Sequence, residues 1–97
     1  MRMMMKIVIP VEASNKAVQD GSVRNLLKSS FEALKPEAVY FVPDAEGRCI
    51  LVFFDLEHSS DLPAAAEPFR QAVNASVTFT PVMNQQDFQT GQAKAHR

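Results

Sequence analysis

The sequence predicts an α+β fold with the element order β-α-β-β-α-β: a four-stranded antiparallel sheet with both helices on one face. Three observations predict it. Four short segments read as strands, and two longer ones carry apolar residues at helical spacing. The third strand, Arg48–Cys49–Ile50–Leu51–Val52–Phe53–Phe54, is apolar on both faces. Side chains alternate across a strand, so a sheet covered on one side reads apolar-polar-apolar. A continuous apolar run needs cover on both sides. Two helices supply one side, and a second copy of the same chain is the simplest cover for the other. The 97 residues, 46% of them hydrophobic, suit one domain over positions 1–97.

Each element follows in order. The first strand is predicted over Met3–Val11, with Met3, Met5, Ile7 and Ile9 on one face and Met4, Lys6 and Val8 on the other. Glu12–Asn15 reads as a loop, with Ser14 or Asn15 as a helix N-cap. A later start at Asp20 or Ser22 is the alternative, since Asp20–Gly21 is a turn signal. Val23, Leu26, Leu27, Phe31 and Leu34 form one apolar stripe at helical spacing. Pro36 stops that helix. Ala38–Val42 is the second strand, Pro43–Arg48 a polar hairpin connection, and the third strand runs to about Asp55. Ser60 or Asp61 caps a second helix over Asp61–Val73, with Pro63 in its first turn. Pro68 lies inside this helix, where it deletes the bond to the Ala64 carbonyl and should bend the axis. Ser76–Val82 is the fourth strand. Asn84 can cap a last short helix, Gln85–Gln89, before a fraying tail over about 90–97. Strands one and three, the most apolar, belong in the middle.

Composition excludes several classes. Ten Lys and Arg against eleven Asp and Glu leave a formal charge of -1, with no basic surplus for nucleic acid or an anionic membrane. A single cysteine, Cys49, cannot form an internal disulfide and reads as a small buried hydrophobe. The apolar start is short, contains Lys6 and Pro10, and does not read as a targeting segment. No run approaches a membrane span. The expected location is cytoplasmic.

The segments Met5–Val11, Lys35–Phe41, Ala66–Phe69 and Pro81–Met83 carry a resemblance that covers nearly the whole chain. The chain resembles the dimeric α/β-barrel superfamily of ferredoxin-like proteins, and within it a group of small uncharacterised bacterial proteins. The resemblance implies two sheets packed face to face with helices outside. That superfamily includes cofactor-free monooxygenases, lactone isomerases, dehalogenating or decarboxylating enzymes and plain binding modules, so fold membership does not choose among them. The chain also departs from these relatives. It has no Trp, which some of the monooxygenases use. Its histidines, His58 and His96, lie in a loop and at the terminus, away from the axial position of haem-degrading relatives. One cysteine cannot supply the two-cysteine loop of metal carriers, and the first strand lacks the aromatics of RNA-binding versions.

Three residues are candidates for chemistry, each beside a plainer reading. Tyr40 can orient a small substrate or act as an acid, or it packs with its hydroxyl in solvent. Glu67, before Pro68, can serve as a base beside a gap opened by the proline, or it is a solvated helix residue. Lys6 in a central strand needs a partner such as Asp55 or a ligand anion, or it snorkels to the rim. His58, with Ser59 and Asp55 nearby in sequence, reads as a loop residue, since nearness in sequence does not make a triad. Two functions follow. One is a homodimeric binding or structural module with no cofactor or metal of its own. The other is a cofactor-free enzyme, monooxygenase- or isomerase-like, acting on a small apolar or aromatic molecule between sheet and helices. They separate on whether Tyr40, Lys6 and Glu67 share one cavity.

Overall fold

Strict alternation in the first strand decides the layering. In β1 (Arg2–Pro10) every odd position from Met3 to Ile9 is buried and every even one only half-buried. Such a period-2 pattern fits a strand with its core on one side. The computed structural model describes residues 1–44 and 47–96 of the chain. It gives β1, α1 (Val11–Asp20), α2 (Ser22–Leu34), β2 (Ala38–Asp44), β3 (Gly47–Asp55), a 3₁₀ turn at Ser59–Asp61, α3 (Leu62–Val73), β4 (Ser76–Pro81) and α4 (Gln85–Ala95). The strands pair antiparallel in the order β2-β3-β1-β4, so the two most apolar strands are central, as the sequence predicts.

The core lies between the sheet and the helices. Met5, Ile7 and Ile9 of β1, Ile50, Val52 and Phe54 of β3 and Val77 of β4 face Ala17, Ala66, Phe69 and Val73 of the helices. The predicted stripe Val23, Leu26, Leu27, Phe31 and Leu34 packs against this cluster along its margin, half-buried throughout. Two copies of a β-α-β unit around the β2–β3 hairpin place all of this on one face.

Several boundaries differ from the sequence reading. Glu12–Asn15 is not a loop: α1 starts at Val11, directly after Pro10, and Ser14 is buried inside it as the small residue that lets the helix approach the sheet. Gly21 then takes a left-handed conformation (φ 79) and α2 begins at Ser22. The two alternative helix starts are therefore two helices. The Ser22 hydroxyl foremost, and then the Ser22 N–H that Asp20 accepts at 2.9 Å, hold the Asp20 carboxyl below the usual range. Neither Ser60 nor Asp61 caps α3 with its side chain. The helix runs unbroken through Pro68; Ala64 and Pro68 are both exposed, so water can take the carbonyl that the proline leaves unbonded. Asn84 does cap α4, and Asp87 returns the bond, a full capping box. That helix continues from the predicted Gln89 to Ala95, across the segment expected to fray.

Of the predicted hairpin connection Pro43–Arg48, Pro43 and Asp44 belong to β2 and Gly47 and Arg48 to β3, while Ala45 and Glu46 lie outside the described residues. At the start of β3, Gly47 adopts φ 147, and a Cβ there would overlap the carbonyl of Ile9, so only glycine fits. Cys49 is a free thiol only 4% exposed, in keeping with a packing role.

Candidate functional site

The face of the sheet away from the helices carries two of the three candidate residues. Register fixes its rows. Tyr40 pairs with Leu51, Leu51 with Lys6 and Lys6 with Thr78, one line across all four strands. The adjacent line is Ala38, Phe53, Met4 and Thr80, and on the other side lie Val42, Cys49, Val8 and Ser76. Tyr40 and Lys6 thus share this open face, two strand spacings or about 10 Å apart. The Tyr40 ring meets Phe53 edge to face, with centroids 6.0 Å apart and planes at 80°. No helix covers this side, and Tyr40 on the edge strand is 59% exposed. The two-faced β3 is therefore explained on one side by the core and on the other by an uncovered apolar field.

Glu67 does not join them. It lies on α3, in the helix layer, exposed, with Arg70 at 3.5 Å and Gln71 at 3.4 Å. The groove in that layer, about 700 Å³ between α2 and α3, is bordered by Pro68 but not by Glu67, Tyr40 or Lys6. The three candidates hence do not converge on one cavity. Ser29, Ser30, Lys35, Asp55, Glu57 and Asp61 are the polar residues at its border, and the Ser30 hydroxyl is buried with no hydrogen-bond partner. The Asp55–His58–Ser59 set does not assemble either. Asp55 binds the N-terminal ammonium at 2.8 Å, and His58 stands exposed at the start of the 3₁₀ turn.

The sequence reading missed a charged corner. Arg2 bonds Glu37 through Nε and Asp87 through a terminal nitrogen, tying β1, the approach to β2 and the first turn of α4 together. The Glu37 bond foremost, and then the Asp87 charge, raises the guanidinium pKa above its ordinary value. The cluster borders a recess of about 580 Å³ with Lys35 and Met83. Its members are 35 and 85 residues apart in sequence, so no local signal links them. Among the described residues, no group of three or more His, Cys, Asp or Glu is placed to hold a metal ion, and no helix is long and apolar enough to cross a membrane. No family model, no curated protein and no solved structure matches the chain.

Proposed function

We propose that the chain is the protomer of a homodimeric binding module in which two open sheet faces meet, as in a dimeric α/β barrel, with no cofactor of its own. One observation carries the reading. Leu51, Phe53, Met4, Val8 and Val42 form a contiguous apolar field on a side of the sheet where no helix packs. Contiguous exposed apolar surface marks an interaction site. A second copy is the favoured occupant because the field is self-complementary in chemistry and sufficient in size. β1 and β3 have nine residues each, β2 seven and β4 six, which at about 3.4 Å per residue and about 4.8 Å per strand gives roughly 500 Å² in plan. Two such faces come to roughly 1,000 Å², the least that a specific interface needs.

The test is mass in solution. Light scattering at micromolar concentration is expected to give twice the chain mass of 10.8 kDa. Leu51→Glu, which puts a charge into the centre of the field, is expected to return the monomer with its fold intact. A wild-type monomer at every concentration would sink the reading.

A second reading, a cofactor-free enzyme acting on a small apolar molecule, draws on the groove between α2 and α3, which Leu26, Leu34 and Phe69 line together with Ser30. Ser30→Ala separates it from the first reading. The substitution leaves the dimer unchanged and abolishes only what the groove binds.

A further inference from the structure

Covering the open face isolates one charge. Lys6 stands on a central strand and is half-buried in the single chain. Met4 and Val8 flank it along β1 and Leu51 lies opposite on β3, so three sides are apolar. Thr78 lies opposite on β4 and Thr80 on the diagonal, so the fourth side offers hydroxyls. The sequence reading expected Asp55 as a partner. Asp55 is four residues from Leu51 along β3, about 13 Å by strand rise, and it binds the N-terminal ammonium. Among the described residues, no carboxylate pairs with Lys6. A second copy laid on this face strips water from that ammonium and brings another Lys6 to the same interface. A buried charge without a counter-charge is strongly unfavourable.

We propose that the space between the paired faces binds a small organic carboxylate with an apolar or aromatic body. The carboxylate accepts hydrogen bonds from the Lys6 ammonium and the Thr78 hydroxyl. The body lies on Leu51 and on the Tyr40–Phe53 ring pair. This inference rests on the face-to-face dimer proposed above and names its ligand. The chemistry selects the class. Each face supplies one cation, neutral hydroxyl donors and otherwise apolar surface. One monoanion per Lys6 balances the pair of faces, whereas a dianion such as a phosphate ester on one Lys6 is left half-neutralised in a dry site. The competing arrangement lays Lys6 across Thr78 so that its ammonium stays in water beyond the β4 edge, one strand spacing or about 4.8 Å away.

The experiment measures the dimer dissociation constant of the full chain in 3-phenylpropionate and, at equal concentration, in its neutral amide. Wild type and Lys6→Met are compared. The carboxylate is expected to tighten the wild-type dimer by about tenfold or more over the amide. Lys6→Met is expected to dimerise more tightly than wild type without additive and to treat acid and amide alike. A wild-type dimer that does not distinguish acid from amide overturns the carboxylate site alone. So does a Lys6→Met dimer that is no tighter than wild type, or that still favours the acid. A monomer under every condition overturns the face-to-face dimer, and the site with it.

Discussion

Two adjacent phenylalanines show how much a single position decides. Phe54 is 2% exposed and sits in the core, while its neighbour Phe53 points to the open face and touches Tyr40. Phe54→Ala is expected to cost about 3–5 kcal/mol in a urea titration, since it leaves a fully buried cavity. Phe53→Ala is expected to cost less in the single chain and to weaken association as well. Loss of stability from both, with no change in association from either, would contradict the two-sided sheet. Ser14 gives the opposite sign. Its hydroxyl is buried in α1 with no partner, so it carries a desolvation penalty that no bond offsets. Ser14→Ala removes that penalty and raises helix propensity, and a gain of about 1 kcal/mol is expected. A loss would show that the hydroxyl has a partner in solution. At this scale the period of two made the shared face of Lys6, Met4 and Val8 legible, because a strand fixes which face a residue takes; that this face, with Tyr40 on it, lies away from the helices and outside any sheet–helix pocket was not. Glu67 was not legible. Its distance from the groove depends on how α3 rolls against α2, and no local pattern encodes that roll. Arg2, Glu37 and Asp87 meet only after the fold is complete, so their pairing was not legible either.

At the scale of elements, packing overrode capping. Glu12–Asn15 has the composition of a loop, yet α1 forms there because Ser14 and Ala17 are small enough to seat a helix directly on the sheet. Gly21 then turns the chain into α2; the turn signal at Asp20–Gly21 was legible and so was a helix from Ser14 or Asn15, but not that both starts are used or that the first helix begins at Val11. The reverse holds for α4, where the Asn84 cap was legible from the residue type but the end of the helix was not, since nothing packs there to stop it. In α3 the proline is tolerated because it lies on the water side. Pro68→Ala restores a bond to the Ala64 carbonyl and is expected to stabilise the fold. The gain should fall well short of the interior proline penalty of about 3 kcal/mol, because Ala64 lies on the exposed side of the helix, where water can serve its carbonyl. A raised urea midpoint with an unchanged slope is the expected reading. A lowered midpoint would mean that Pro68 contributes more by packing at the groove than it costs in backbone bonding.

For the whole molecule, shape sets the last expectation. The Cα radius of gyration is 15.2 Å and the longest extent 54 Å, whereas a compact chain of this length has a radius of about 12.5 Å. The α4 helix has no part in the core. None of its residues is buried, Phe88 is 52% exposed, and every residue of the core cluster lies between Met3 and Val77. What ties α4 down is the Arg2–Asp87 ion pair, and single ion pairs near the surface contribute little to stability. Removal of residues 84–97 is therefore expected to leave a cooperative transition, with the melting temperature lowered by no more than about 5 °C. Far-UV circular dichroism should lose about a quarter of its α-helical signal, the share of α4 among the four helices. Arg2 keeps Glu37 in the shortened chain, so the charged corner stays half-formed and the β1–β3 register is unaffected. A shortened chain that melts without cooperativity would show that α4 completes the body. One that melts normally but no longer dimerises would instead assign α4, with Phe88 on its surface, to the contact between copies. In that case the open sheet face alone, at the lower end of interface sizes, would not suffice to hold the pair together.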